Sequence, residues 1–324
     1  MGVPKVFIDG EAGTTGLQIY QRLAEREDLE VISIDPDKRK DANERAKLLN
    51  AADVSILCLP DDAAREAVSW LTNPNTKVLD ASTAYRTAAD WAYGFPELRP
   101  QQREKIAQST RVSNPGCYPT GFLATVSPLV NAGLLPADFA LTVNAISGYS
   151  GGGKKMIAQY EGFRAQHPEA ESIEPYSPYG LKFGHKHVKE MQQYAGLAHT
   201  PLFVPAVGDF AQGMVVQVPL PLWTLAQPPS GKQLHDKLSE HYASEPFVQV
   251  MPYAQAEQLR EGNFLEAKKA NHTNEVQLFV FANDDTQEAL LVARLDNLGK
   301  GASGAAVQNL NIMLGLPEEK GLVE

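Results

Sequence analysis

Cys117 stands in the run Arg111-Val112-Ser113-Asn114-Pro115-Gly116-Cys117-Tyr118-Pro119-Thr120-Gly121. Arg111 to Asn114 reads as the end of a strand, and Pro115-Gly116 forces a sharp turn. Thr120 to Val130 is apolar on most sides, as a buried helix is. Cys117 is therefore predicted where a strand breaks into a helix N-terminus. Unpaired backbone N–H groups and the helix dipole stabilise negative charge there, and that favours the thiolate, the nucleophilic form. A buried, inert thiol is the usual state of a cysteine outside a disulfide, but a core thiol needs no bent backbone beside it. The chemistry indicated is nucleophilic catalysis, which calls for a proton acceptor. His185-Lys186-His187-Val188-Lys189-Glu190 offers two imidazoles at i and i+2, which on an extended segment point the same way. If a helix starts at His187, i to i+3 spacing brings Glu190 close to that ring, raising its pKa and fixing its tautomer. His187 is then the acid/base group, and His185 a substrate-binding or supporting residue. No further Cys or His lies at local ligand spacing, so zinc is not indicated. His167, His199, His235, His241 and His272 have polar sequence surroundings and read as surface residues.

A second chemical signal opens the chain. Gly10-Glu11-Ala12-Gly13-Thr14-Thr15-Gly16 follows a predicted strand and leads into a predicted helix. Small residues at Gly10, Gly13 and Gly16 let the backbone approach a pyrophosphate, and the helix N-terminus supplies donors, with the Thr14 and Thr15 hydroxyls beside it. The strand-before, helix-after context turns a weak glycine motif into a dinucleotide signal. The second strand ends Ile34-Asp35-Pro36-Asp37-Lys38-Arg39-Lys40. An acidic residue there would hold a ribose 2′-hydroxyl and basic residues a 2′-phosphate; three consecutive cations, Lys38 and Arg39 foremost, favour NADP. Asp80-Ala81-Ser82-Thr83-Ala84-Tyr85-Arg86 follows another buried strand, whose C-terminal end points Ser82 toward the cofactor crevice. Arg86 can clamp a phosphate or carboxylate with two parallel hydrogen bonds, or simply sit in a surface salt bridge. The loop from Ser147 to Gly153 is small enough for close backbone approach to a ligand, with Ser147 as a substrate-binding candidate. Asn297 lies at a strand end where a nicotinamide amide could bind, although a plain helix-capping turn explains Asp296 to Gly304 as well.

The elements that must position these residues follow from periodicity. Strands are predicted at Lys5 to Asp9, Glu30 to Asp35, Val54 to Leu59 and Lys77 to Ala81. Between the first two runs a helix with Leu17, Tyr20, Leu23 and Ala24 on one face, ending near Glu27. This βαβ rhythm with near-continuous apolar strands implies an α/β fold, a Rossmann-type doubly wound parallel sheet. Beyond Gly133 the strands lengthen and alternate, at Leu141 to Ile146, Met214 to Val218, Glu275 to Phe281 and Ala289 to Leu295. They suggest an α+β domain whose mixed or antiparallel sheet carries helices on one face. Ala302 to Leu314 has helical periodicity and is expected to pack on the first domain. The expected domains are residues 1–116 with 301–324 for the dinucleotide, and 117–300 for catalysis and subunit contact. Hydrophobic residues make up 43% and charged ones 21%, ordinary for a globular chain, and the net charge of −10 disfavours a nucleic-acid or anionic-membrane surface. No apolar run approaches the roughly 18 residues of a membrane span. The start, Met1 to Lys5, leads straight into a strand and is expected to carry no signal peptide. Two cysteines, with Cys58 read as part of a buried strand, give no disulfide framework and fit a reducing cytoplasm.

Together these residues resemble the N-acetyl-gamma-glutamyl-phosphate reductases of arginine biosynthesis. The likeness is carried by Val112 to Gly121 with Thr125, Val126 and Pro128, the opening glycine turn, Asp80 to Arg86, and Gly94-Phe95-Pro96-Glu97-Leu98. The Ser147 to Gly153 loop, His185-Lys186-His187 and Asn297 to Gly304 extend it over nearly the whole chain. The short chain resembles the compact branch of the family, which often has proline where Lys189 stands. The resemblance implies NADPH-dependent reduction of an acyl phosphate through a Cys117 thioester. Arg86 and Asn114 would hold the phosphate, and a homo-oligomer, dimer or tetramer, is implied. Aspartate-semialdehyde dehydrogenase, of the same fold, is the nearest rival, but its nucleophile lacks the preceding Pro-Gly. A non-catalytic NADP-binding sensor and a cysteine hydrolase are weaker alternatives: the intact Cys117 context disfavours the first and the dinucleotide turn the second.

Overall fold

The structure, a computed structural model, describes residues 2–170, 173–254, 257 and 259–322. The chain divides into two compact units, the first running to Gly116 and resuming at Ala302, the second spanning Cys117–Gly301. In the first unit, strands β1 (Lys5–Asp9), β2 (Glu30–Ile32), β3 (Val54–Leu57), β4 (Lys77–Asp80), β5 (Ala92–Tyr93) and β6 (Arg111–Ser113) alternate with helices. These are α1 (Thr14–Leu23), α2 (Ala42–Ala51), α3 (Asp61–Ser69) and α4 (Gln102–Gln108). All pairs are parallel, in the order β2-β1-β3-β4-β6-β5. A sheet covered on both faces needs apolar residues at successive positions. β1 and β3 meet this need: Val6 and Ile8 enter one core with Ile19, Leu23 and Ile56, while Phe7 enters another with Leu49, Leu57 and Ala64. The chain order reverses about β1 and β3, the type of switch point at which such sheets bind ligands.

Several elements end earlier than periodicity suggests. α1 stops at Leu23, short of Glu27, and buries Gly16, Ile19 and Leu23, whereas Leu17 is 45% exposed. The packed face of α1 runs through Ile19 and not through Leu17. β2 stops at Ile32 because Asp35 caps a short 3-10 turn at Pro36–Lys38. β3 stops at Leu57, so Cys58 lies just beyond the strand and is only partly buried.

The second unit begins with α5 (Cys117–Asn131), and continues through β7 (Thr142–Gly148), α6 (Gly153–Gln166), β8 (Tyr176–Pro178), α7 (His187–Ala195), β9 (Leu202–Gly208) and β10 (Met214–Pro221). It closes with α8 (Gly231–His241), β11 (Val248–Val250), β12 (Val276–Asn283) and β13 (Glu288–Leu295). The seven strands form one mixed sheet, ordered β11-β12-β13-β10-β7-β9-β8. β10 pairs antiparallel with β7 and β13, while β7 pairs parallel with β9. α5 packs on β10 and β13 and is buried from Tyr118 to Leu129. Gly121 permits that approach, since a Cβ there would meet Val216 Cγ2 at 2.9 Å. Pro128 removes the N–H that would bond to the Ala124 carbonyl, and the Tyr242 hydroxyl donates to that carbonyl instead, at 2.9 Å.

A π-helical turn at Gly299–Ser303 leads into α9 (Gly304–Leu314), so Gly301 to Ser303 are not the start of the α-helix proper. α9 returns to the first unit, where Ala306, Val307, Leu310 and Met313 join the core of Val6, Ile19 and Val112. Among the described residues no helix is long and apolar enough to cross a membrane.

Candidate active site

In the first unit the glycine turn follows β1 directly. Gly10 has φ +89°, a conformation that side chains rarely adopt, and a Cβ on it would stand 2.3 Å from the Cys58 carbonyl oxygen. A Cβ on Gly16 would stand 2.4 Å from the Gly10 carbonyl oxygen, so α1 starts hard against the turn. Gly13 caps α1 with no side-chain hydrogen bond, and no acidic residue occupies the first turn. Thr14 Oγ1 is buried and has no hydrogen-bond partner within the protein. Uncapped helix N–H groups, an orphaned hydroxyl and close glycines fit the pyrophosphate of a dinucleotide. Asp9 at the end of β1 is tied to Arg45 at 2.9 Å, a pairing that the sequence reading missed.

Asp35 is exposed and caps its own turn: its carboxylate accepts the Asp37 N–H at 3.0 Å. Lys38, Arg39 and Lys40 after it are exposed. Ser82 is buried and donates its hydroxyl to Asp80 at 2.7 Å. Burial pushes the Asp80 carboxyl up, against the Ser82 hydrogen bonds and the Arg86 charge. Arg86 is 8% exposed, so it is no surface salt-bridge residue. Its Nε donates to the Asn114 carbonyl at 2.9 Å, which brings together the two residues expected at the phosphate. The Asn114 side chain itself is engaged at both ends, donating to the Ala302 carbonyl at 3.0 Å and accepting from Asn309 at 3.1 Å.

In the second unit Cys117 is the first residue of α5 and is partly exposed. Gly301 lies against it, for a Cβ there would meet Cys117 Cβ at 2.9 Å. Tyr118, next in the chain, is the centre of an aromatic cluster. Its ring centroid lies 6.4 Å from His185, 5.9 Å from His187 and 5.1 Å from Phe203. Its hydroxyl donates to the Ala206 carbonyl at 3.2 Å and accepts from Tyr179 at 3.2 Å. Burial pushes the Tyr118 phenol up, and lifts that of Tyr179 to about 12. Both phenols therefore stay protonated near neutrality.

The two imidazoles are adjacent, with centroids 4.7 Å apart. They do not sit on an extended segment: Lys186 is already helical and His187 is the first residue of α7. His185 Nδ1 accepts the His187 backbone N–H at 3.2 Å. That acceptor role fixes the proton of a neutral His185 on Nε2. Burial holds the His185 imidazole below its ordinary value, with Lys186 acting in the same direction. Glu190 is buried on the same helix at i+3 from His187. Tyr118, Tyr179 and Phe203, the cage of His185, were missed by the sequence reading; only Tyr118, beside the cysteine, carried a signal. Of the histidines read as surface residues, His235 departs from that reading: its ring meets the Met251 carbonyl at 3.1 Å and its side chain is 15% exposed.

Ser147 and Asn297 meet around Gly151, where a Cβ would stand 3.0 Å from Ser147 Oγ and 3.5 Å from Asn297 Nδ2. Asn297 accepts the Gly213 N–H at 2.8 Å and donates to Ser150 Oγ at 2.9 Å, so its amide fastens the small-residue loop.

Residues 5–108 match the family model described as the semialdehyde dehydrogenase NAD-binding domain, and residues 117–297 match its dimerisation domain. Aspartate semialdehyde dehydrogenase II of Vibrio cholerae, solved in complex with ASA, superposes with a TM-score of 0.73 at 15% identity, over 97% of this chain and 99% of that one. The fold and the two domain matches define an oxidoreductase of the semialdehyde dehydrogenase class with a nicotinamide cofactor domain. Curated relatives narrow the class. N-acetyl-gamma-glutamyl-phosphate reductase 2 of Nostoc sp. is 67% identical over 322 residues, covering 99% of this chain and 100% of the relative. The N-acetyl-gamma-glutamyl-phosphate reductase of Mesorhizobium japonicum is 55% identical over 315 residues, covering 97% and 99%. The chain belongs to the N-acetyl-gamma-glutamyl-phosphate reductase family.

Proposed function

We propose that this chain reduces N-acetyl-gamma-glutamyl phosphate to N-acetyl-glutamate 5-semialdehyde, with NADPH as reductant and Cys117 as covalent nucleophile, in cytoplasmic arginine biosynthesis. The observation that carries the reading is Cys117 at the first position of a buried 15-residue helix, followed by the residue around which His185 and His187 cluster. The helix N-terminus favours the thiolate. Its sulfur attacks the gamma carbonyl carbon, a C–S bond forms, and the C–O bond to phosphate breaks with release of inorganic phosphate. Hydride, which turns the resulting thioester into a tetrahedral thiohemiacetal, is what a bound reduced nicotinamide supplies. Breaking the C–S bond then releases the aldehyde and returns the thiolate. His187 accepts the thiol proton before attack and donates a hydrogen bond to the carbonyl oxygen as it gains charge. His185, held neutral, presents Nε2–H to substrate.

Gly10, Gly13, Thr14, Thr15 and Gly16 would hold the coenzyme pyrophosphate, Ser82 would face the coenzyme, and Arg86 would hold the departing phosphate. Asn114 and Asn297, whose amides are engaged within the protein, would act by fixing Arg86 and the Ser147 loop. NADP rather than NAD is supported by Asp35, whose carboxylate already accepts the Asp37 N–H, and by exposed Lys38 and Arg39. The first unit is thus the dinucleotide-binding domain and the second the catalytic one. The second unit also carries an apolar groove at Trp223, Pro219, Phe281 and Leu290, which supports subunit contact in a homo-oligomer. The test is the reverse reaction, followed at the nicotinamide absorbance band with N-acetyl-glutamate semialdehyde, NADP and phosphate. Aspartate semialdehyde as the better substrate would refute the assignment. Cys117→Ser is expected to keep the fold and coenzyme binding and to abolish turnover, because a serine hydroxyl is far less ionised.

A further inference from the structure

Behind Arg86 and Asn114 the first unit holds a buried polar residue to which the reaction described above gives no part. Asn309, midway along α9, is fully buried. Its Nδ2 donates to the Gly94 carbonyl at 2.8 Å and to Asn114 Oδ1 at 3.1 Å. Asn114 in turn donates to the Ala302 carbonyl, and its N–H reaches the Asp80 carbonyl at 2.7 Å. Its own carbonyl receives Arg86 Nε at 2.9 Å. The Arg86 guanidinium is anchored a second time on the Ala81 carbonyl at 3.3 Å.

We propose that Asn309 is a positioning residue for phosphate recognition, fixing the plane of the Arg86 guanidinium through Asn114. The proposal rests on the reading of Arg86 as the phosphate-holding residue. Two-pronged recognition of phosphate needs a guanidinium plane set in advance. Three features indicate that Asn309 serves this end rather than mere filling of the core. Its orientation is set by its donors: both N–H groups are used while Oδ1 has no partner, and a flipped amide would turn that oxygen onto two acceptors. The backbone is shaped to admit it, because a Cβ on Gly94 would stand 2.5 Å from Asn309 Nδ2 and 2.9 Å from the Ser113 carbonyl. Without Asn309, the buried Asn114 Oδ1 would lose the donor it has here, and a buried acceptor left unmade is costly enough to move its residue. Asn114 would then shift, and with it the carbonyl that holds Arg86.

The experiment measures the KM for inorganic phosphate in the reverse reaction, beside the KM for NADP. Asn309→Leu and Gly94→Ala are each expected to raise the phosphate KM about tenfold, an effect of about 1.4 kcal/mol, while the NADP KM stays within about twofold. In an Arg86→Lys background, Asn309→Leu is expected to add little, since the two act as one unit. Equal rises in both KM values, a phosphate effect that persists in full without Arg86, or no phosphate effect would overturn the proposal. If Asn309→Leu fails to fold, Asn309→Asp carries the same test, because it keeps the shape and replaces donors by acceptors. Arg86→Lys alone separates the two readings. An unchanged phosphate KM there refutes the role of Arg86 and the proposal with it. A raised one, with Asn309 variants unaffected, refutes the proposal only.

Discussion

Replacing Gly301 with alanine sets a single methyl group against Cys117, the proposed nucleophile. The new Cβ would stand 2.9 Å from Cys117 Cβ, 3.5 Å from Cys117 Cα and 3.0 Å from the Asp296 carbonyl oxygen. Carbon atoms in contact sit about 3.5–4.0 Å apart, so the pair must open by roughly 0.6–1.1 Å. Asp296 is poorly placed to yield. It is fully buried, its carboxylate accepts the His272 and Leu298 N–H groups at 2.7 and 2.9 Å, and its carbonyl accepts the Gly301 N–H at 2.9 Å. The displacement therefore falls on Cys117 and the first turn of α5. Overpacking of this kind costs about 1–3 kcal/mol of stability, and misplacing a reacting group by about 1 Å costs about 100-fold in rate. The expected result is a kcat lowered about 100-fold with substrate KM little changed, as for an interaction made chiefly in the transition state. Steady-state kinetics in the reverse direction measure this, and iodoacetamide alkylation reports on the thiol directly. Cys58 interferes little, because loss of water around the sulfur and the nearby Asp80 and Asp9 carboxylates push its thiol up to about 12. Wild-type turnover together with an unchanged alkylation rate would refute the placement of Gly301 against a reacting Cys117 sulfur.

Other expectations concern the coenzyme and the imidazoles. Lys38→Ala with Arg39→Ala should raise the KM for NADP much more than that for NAD; equal changes would make these cations a solvated loop. His187→Asn should lower turnover by about 100- to 10,000-fold with a smaller change in KM, whereas His185→Asn should mainly weaken substrate binding; the opposite kinetic pattern reverses their roles. His185 also affects acid stability. With its folded pKa below 6.5, the unfolded chain takes up the proton first, so stability is fully present above about 6.5 and falls as pH drops toward the folded value. His185→Asn, whose side-chain oxygen can still accept the His187 N–H, should flatten the fall of urea midpoints from pH 8 to pH 5 relative to the parent; parallel curves would show that His185 does not titrate differently on folding.

The parallel sheet was legible because β1, β3 and β4 are buried on both faces and read as apolar runs. Cys117 was legible because Pro115-Gly116 breaks the chain immediately before it. α1 was misread where Leu17 and Ile19 compete, since both are apolar and only packing chooses between them. The histidine segment was half legible: the i, i+2 spacing wrongly suggests an extended run, while the helix start at His187 that Glu190 needs is where α7 begins. β9 escaped notice because Pro205 interrupts its apolar run, and a proline speaks against a strand. The roles of Asn114 and Asn297 were invisible for another reason. A sequence shows an amide, but whether that amide meets a ligand or the protein's own backbone depends on partners far along the chain: Ala302 for one, Gly213 for the other. Asn309 did leave a trace, as one of three polar residues, with Gln308 and Asn311, in an otherwise apolar helix.

The first unit is written in two pieces, and α9 supplies the last part of one of its cores. During synthesis the strands β1 to β6 emerge first, and then the 185 residues of Cys117–Gly301 must follow before α9 can leave the ribosome. At about 5–20 residues per second the wait is roughly 10 to 40 seconds. Throughout that interval the apolar surface of Val6, Ile19 and Val112 that α9 will cover lacks its partner. The second unit is contiguous and can complete its fold while the first is still waiting. A nascent chain of this design thus finishes its middle before its beginning, and it is the early strands, not the second unit, that stand most in need of protection from aggregation while it is being made.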